Sequence, residues 1–232
     1  MLINRKSFLL ASAATVMLPA QTALARTKPI YMLPTSSTRR FAWTIDDGAS
    51  SSAIKNYLDL AQKHDQHLTF FVTSCYSSWS NNATQIKELL GQGKIQIANH
   101  TFSHKDLVSS SDKVVKDELN RCNDFIFKHF DYLAKPYFRP TYGYWNQHLI
   151  ELAASLGYTV PVMWYGSFGD SGNTPEGRIV QLASKWIANG RIVIDHANRM
   201  KSQHALNQIL GIIQARGLKS VTLDEAFGVN FK

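Results

Sequence analysis

Asp46 and Asp47 stand side by side where the apolar run FAWTI ends, directly before Gly48. Adjacent carboxylates repel each other, and at a strand end they are costly unless a cation or a reaction uses them. His100 and His104, in NHTFSH, have the i, i+4 spacing that one helical turn would place on one face. Two imidazoles and a carboxylate from elsewhere make a ligand set suited to zinc or another divalent first-row ion, with positions left for water and substrate. Successive strand side chains diverge, so one aspartate can hold a metal while its neighbour faces a water. The plainer alternative is a helix-capping aspartate beside a solvated one. It leaves unexplained why an apolar strand runs straight into both. Gly48 gives the chain freedom to turn sharply behind them. Arg139, in PYFRPTYG, and Asp195 with His196, in RIVIDH, are further chemically able groups at the ends of apolar runs.

These groups need a scaffold, and the sequence alternates between two patterns. Strands are predicted at 41–45, 67–73, 94–99, 136–140, 158–164 (bent at Pro161), 191–195 and 219–222. Helices are predicted at 51–63, 82–91, 111–129, 146–156, 175–188 and 201–215, with a short DEAF helix at the end. Such alternation implies parallel βα units, in an open doubly wound sheet or a closed barrel. In both, active sites lie at the carboxyl ends of the strands. The aspartate pair, the histidine pair, Arg139 and the Asp195–His196 pair all fall at that end and are expected to converge on one mouth.

The 232 residues are 44% hydrophobic and carry no polar low-complexity tract, so one packed domain is expected. Residues 1–25 have a basic start, an apolar run from Phe8 to Pro19 and the small-residue pattern Ala23-Leu24-Ala25. They read as a cleaved export signal, too short for a spanning helix, which directs the chain to periplasm or medium. Residues 26–40 read as a polar lead-in and 41–232 as the catalytic domain. No other segment is suited to stable membrane insertion. The net charge of +8 is scattered, which argues against a nucleic-acid partner and suits an anionic cell envelope. Cys75 and Cys122 could form one disulfide in an oxidising compartment. Equally, Cys122 could be a buried thiol on a stripe with Val115, Leu119 and Ile126.

TIDDG, NHTFSH and RPTYG resemble, in order, the first three motifs of the polysaccharide deacetylases, metal-dependent carbohydrate esterases related to the nodulation-factor deacetylase. GDS at 169–171 is similar to a degraded fourth motif, IDH at 194–196 to the fifth, and KSVTLDEAF to the family's last strand and helix. The resemblance covers essentially all of the chain beyond the signal. It implies a single α/β domain, a distorted (β/α) barrel with fewer than eight regular units. It implies a divalent metal, Zn2+ by preference, on Asp47, His100 and His104. Asp46 would be the general base and Arg139 would orient it. The Tyr142 N–H would help hold the oxyanion, and His196, oriented by Asp170, would protonate the leaving amine. The implied reaction is hydrolysis of N-acetyl groups on N-acetylglucosamine units of peptidoglycan, chitin oligomers or an exopolysaccharide.

Four positions depart from the family pattern: Thr141 for proline, Ser167 for aspartate, Ser171 for tryptophan and Asp195 for an apolar residue. They spare the metal set and fall around the acid and the acetyl pocket. Asp195 could partner His196 or point away as its strand neighbour, and strand alternation favours the second. Tyr142 and Trp145 are expected to line the cleft, as aromatics with polar tips suit sugar rings. Two alternatives remain on the same fold: an O-acetyl esterase acting on acetylxylan, and a non-catalytic glycan-binding protein. A binder has no need of a base beside a metal.

Overall fold

A computed structural model describes residues 26–228; the export signal expected at 1–25 lies outside the described residues. The FAWTI run forms β1 (Arg40–Asp47), longer than expected because both aspartates stay in the ladder. Helix α1 (Ser51–His64) begins where the Ser50 hydroxyl accepts the Ala53 N–H, a standard N-cap. Next come β2 (Leu68–Val72), a one-turn α2 (Ser78–Asn81), α3 (Ala83–Gly91), β3 (Ile95–Asn99) and the long α4 (Asp112–Phe130). Then follow β4 (Tyr137–Phe138), α5 (Gln147–Ser155), β5 (Val160–Pro161), β6 (Gly166–Ser167), α6 (Glu176–Trp186) and β7 (Ile192–His196). Helix α7 (Gln203–Ala215), β8 (Lys219–Ser220) and α8 (Leu223–Phe227) complete the described chain, α8 opening on a Thr222–Glu225 capping box.

Every strand pair is parallel, in the order β5-β4-β3-β2-β1-β7-β6, and β8 pairs with the first two residues of β1. All residues of β2 and β3 are buried, as expected where both faces of a parallel sheet are covered. On one face Trp43, Phe70 and Trp79 pack with Ile54, Tyr57 and Leu58 of α1 in the main core. A second core, which includes Phe71, Tyr137 and Leu223, contains residues that alternate with the first along the strands.

The sheet curls into a distorted barrel whose path ends at β5 and β6. The lead-in bridges from β5 to the start of β7. Ile30 N donates to Pro161 O at 2.9 Å and Met163 N to Ile30 O at 2.8 Å, while Leu33 N reaches Gly190 O at 2.8 Å. Ile30 and Leu33 are buried, so this segment, read from composition as a polar lead-in, is part of the barrel. The predicted strand at 158–164 shrinks to two residues at Pro161, which has no N–H to give a ladder. Strand β6 was not predicted, since a Gly-Ser pair carries no strand pattern; β7 recruits it through Gly166 and Val193.

Both cysteines are free thiols. Cys122 is buried in α4, donates to Val72 O at 3.2 Å, and burial pushes its thiol up to about 12. No helix among the described residues is long and apolar enough to cross a membrane.

Candidate active site

The carboxyl ends of β1, β3 and β7 open into one cleft of about 500 Å³ lined by Asp46, Asp47, His100, His104, Tyr142 and His196, among others. The turn after β1 is tightly held. Asp47 and Gly48 have φ of 70° and 100°. A Cβ on Gly48 would lie 2.3 Å from the Trp79 indole. That indole donates to Asp47 O at 2.9 Å, and the Ser78 hydroxyl donates to Gly48 O. The unpredicted α2 is therefore the clamp on the aspartate turn. The two carboxylates diverge only in part: Asp46 meets Arg139 and Asp47 meets the imidazoles, yet each has an oxygen 3.5 Å from His100 Nε2.

The histidines meet in a different way from the one their spacing suggests. No helical turn links them. Thr101 and His104 take φ of 72° and 60°, so the segment is an irregular loop. Asn99 Oδ1 accepts the Thr101 N–H at 2.8 Å, and Thr101 Oγ1 accepts the His104 N–H at 2.9 Å. Glu118, buried in α4, accepts both the backbone N–H and the hydroxyl of Ser103. The rings end with centroids 5.0 Å apart. Asp47, Thr101, His104 and Tyr142 all have positive φ, a backbone strain of about 1–3 kcal/mol each that surrounding bonds must hold.

The donor set fits a divalent cation. One ligand atom each from Asp47, His100 and His104 lie within 4.8 Å of one another. Asp47 Oδ1 is buried with no hydrogen-bond partner among the described residues. His100 Nδ1 lies 2.8 Å from the Arg139 carbonyl, which can only accept, so Nδ1 carries a proton and Nε2 is the ring atom turned inward, free to offer a lone pair to a bound cation. His104 Nε2 is 3.3 Å from the same Asp47 oxygen. Asn198 Nδ2 donates to the other oxygen, Oδ2, at 2.7 Å. Burial opposes ionisation of Asp47, but the His100 bond and the nearby imidazoles outweigh it and hold the carboxyl well below its usual range.

Arg139 is fully buried. Its Nη1 donates to Asp46 Oδ1, its Nε to Val162 O at 3.1 Å and its Nη2 to Met163 O at 3.3 Å, while the guanidinium stacks 3.9 Å from the Phe71 ring. On β7, His196 is the Cα partner of Asp46. Its Nδ1 lies 2.8 Å from Asp170 Oδ1, and its backbone N–H donates to Asp170 Oδ2 at 2.9 Å. Burial disfavours the charged ring, but Asp170 outweighs this and pushes it up to about 9.

Tyr142 is exposed in the cleft and meets the His104 ring edge-on at 4.6 Å. Trp145 does not line the cleft. It packs with Leu149 and Phe138 in a separate apolar cluster, and Tyr144 and Trp164 line the wall instead. Beyond the turn at Gly143 the backbone at Tyr144 is extended, so Tyr144 stays on the cleft and Trp145 points to the other side. Asp195 points away from the cleft, as alternation suggests, but it is engaged: Tyr57 donates to it at 2.5 Å and Trp43 Nε1 at 3.2 Å. Sequence reasoning missed Asn198 and Lys201. Asn198 follows β7 by two residues, so the strand-end rule that selected His196 could have found it; Lys201 carries no such local signal.

A parallel (β/α) barrel with paired acids, paired imidazoles and a backed histidine at one mouth is a scaffold for hydrolysis by general acid–base chemistry beside a cation. The sequence profile of the polysaccharide deacetylase family matches residues 34–161, and the chain belongs to that family. It is 27% identical over 192 residues to a peptidoglycan-N-acetylglucosamine deacetylase, PgdA, of Listeria monocytogenes, covering 83% of this chain but spanning only 40% of that protein. It is 30% identical over 189 residues to a peptidoglycan-N-acetylglucosamine deacetylase of Bacillus cereus, covering 79% of this chain and 86% of the relative. In three dimensions it matches Bacillus subtilis PdaA, a family 4 carbohydrate esterase, with a TM-score of 0.76 and 23% identity, over 87% of this chain and 86% of the other.

Proposed function

We propose that this protein is an exported, metal-dependent deacetylase that hydrolyses N-acetyl groups of N-acetylglucosamine units in a polysaccharide, peptidoglycan first among the candidates. The observation that carries this reading is the juxtaposition of Asp46, held by Arg139, with the Asp47–His100–His104 cluster and His196 in one cleft. A divalent cation, zinc by preference, fits the cluster; when bound it supplies Lewis acidity, lowering the pKa of water and polarising a carbonyl.

The residues divide the remaining work. Asp47, His100 and His104 hold the cation. Asp46 takes a proton from the attacking water, and Arg139 keeps its carboxylate aimed there. The Tyr142 N–H faces the oxyanion of the tetrahedral species, where fixed dipoles contribute most. His196 gives the proton on Nε2 to the departing amine nitrogen as the C–N bond breaks. One water is consumed, and acetate and the free amine leave. A raised His196 pKa suits this task, because the ring begins protonated at neutral pH. Tyr142, Tyr144 and Trp164 give the sugar flat surfaces.

The test is acetate release from N-acetylglucosamine oligomers, peptidoglycan and acetylated xylan, with chelator and then with zinc restored. Release that stops with chelator and returns with zinc is expected, with N-acetyl glycans ahead of xylan. Xylan as the best substrate would replace this reading with the O-acetyl esterase. Asp46→Asn should keep its metal and lose about 100-fold or more in turnover, as expected for a lost general base. A protein that binds glycan identically with and without the substitution, and releases no acetate, would be a binding protein.

A further inference from the structure

Behind His196 lies a buried charge cluster that the reaction as written does not use. Lys201 is almost fully buried, and its ammonium has three acceptors: Tyr57 Oη at 2.8 Å, Asp170 Oδ2 at 2.7 Å and Asp195 Oδ1 at 2.8 Å. All three of its protons are used. Asp195 is fully buried and receives Tyr57 and Trp43 on its other oxygen. Asp170 is thereby pinned by Lys201 and the His196 N–H on one oxygen and by His196 Nδ1 on the other. Burial disfavours the Lys201 charge, but Asp195 and Asp170 outweigh it and keep the ammonium.

We propose that Lys201 is a positioning residue for His196: anchored by Asp195 and Tyr57, it locks the Asp170 carboxylate so that the imidazole is held in one orientation with Nε2 toward the cleft. This rests on the deacetylase reading. Three features favour it over a merely structural ion cluster. First, replacing buried ion clusters with apolar residues is often neutral or stabilising, so stability alone does not account for this one. Second, of the residues in the cluster, only His196 lines the cleft. Third, Asp170 and Lys201 sit on loops, whereas Trp43, Tyr57 and Asp195 sit on β1, α1 and β7. The cluster thus ties two loops to the rigid sheet layer. The Lys201 loop is held again by Asn56 Nδ2, which donates to Lys201 O at 2.8 Å, and by Glu176, which accepts from the Ser202 N–H and hydroxyl. The charged and titratable groups acting on the His196–Lys201 unit are Asp46 and Asp47 from β1, Tyr57 from α1, Asp170 before α6, Glu176 on α6 and Asp195 from β7.

The experiment compares an amide with an activated ester in the zinc-loaded full chain. An N-acetylglucosamine oligomer needs its amine protonated; 4-nitrophenyl acetate has a leaving group that needs no acid. Lys201→Met should lower kcat on the oligomer by about 10- to 100-fold, the usual effect of losing a partner behind a ligand or catalytic group. KM should hold, and the ester rate should fall several times less. Tyr57→Phe, the milder change should Lys201→Met fail to fold, should show the same selective loss at smaller size. Equal losses on both substrates, or none on either, in whichever variant folds would overturn the proposal. A wild type that cleaves the ester and no N-acetyl glycan would instead overturn the function reading, and this inference with it.

Discussion

Asp170→Asn isolates the proposed acid, His196. The substitution keeps the side-chain shape and an acceptor oxygen but removes the anion 2.8 Å from His196 Nδ1. In the intact protein that anion, with smaller help from Asp46 and Asp47, outweighs burial and moves the ring from an ordinary 6.5 to about 9. A shift of that size is about 3 kcal/mol of preference for the protonated imidazole. Without it, burial opposes only the weaker pull of Asp46 and Asp47, so the ring falls back toward its ordinary 6.5. At pH 8 a group titrating at 9 is about nine-tenths protonated, and one titrating at 6.5 only about 3%. Turnover that needs a protonated His196 should therefore fall by up to about 30-fold at pH 8, yet stay within about 2-fold of wild type at pH 6. The sign follows from the raised pKa: activity is complete below it and lost as pH rises through it. The assay is kcat on an N-acetylglucosamine oligomer from pH 5.5 to 10, as the ratio of variant to wild type at each pH, which cancels the titration of every other group. A ratio that is low but flat with pH would refute the reasoning, because it would mean Asp170 acts on geometry and not on the proton of His196.

Other changes test other parts of the site. His104→Ala should leave the fold intact and cut zinc retained after dialysis well below one per chain; the melting shift on adding zinc, read by calorimetry, should shrink with it. Gly48→Ala places a Cβ 2.3 Å from the Trp79 indole at a φ of 100°, and should cost about 2–4 kcal/mol in urea unfolding. Trp164→Ala should raise KM for oligomers several-fold, whereas Trp145→Ala should lower stability and leave KM alone, since Trp145 packs away from the cleft.

The βα alternation and the strand-end clusters were legible because they depend on local pattern. Apolar runs of five residues such as LTFFV become buried parallel strands almost wherever helices cover both faces. The four clusters came together because parallel connections carry every strand's carboxyl end to one side. What could not be read depends on contacts between distant segments. The helical expectation for His100 and His104 failed because Asn99, Thr101 and Glu118 hold an irregular loop, and Glu118 is contributed by α4. Trp145 looked equivalent to Tyr142, but the extended backbone after the Gly143 turn leaves Tyr144 on the cleft and turns Trp145 into an apolar cluster. Ile30 and Leu33 seemed part of a polar tail because no local pattern announces that the segment bridges β5 and the start of β7. Lys201 sits in an ordinary polar loop, and only three acceptors from α1, β7 and the loop before α6 distinguish it.

The register of β1 against β7 ties these parts together. In a parallel ladder, Cα partners send their side chains to the same face. Asp46 is opposite His196, so the ladder alone brings the proposed base and acid to one cleft. The same register puts Asp195 opposite Ile45, on the other face, and that face is covered by α1. A carboxylate there has no water to turn to, and burial forces it to find donors. Trp43, Tyr57 and Lys201 are the donors it finds, and the lysine it admits is the one that reaches round the strand to Asp170. One residue of β7 thus faces the cleft while its neighbour, facing the core, holds the lysine behind it. A slip of one residue between β1 and β7 would exchange the two faces and abolish both roles at once.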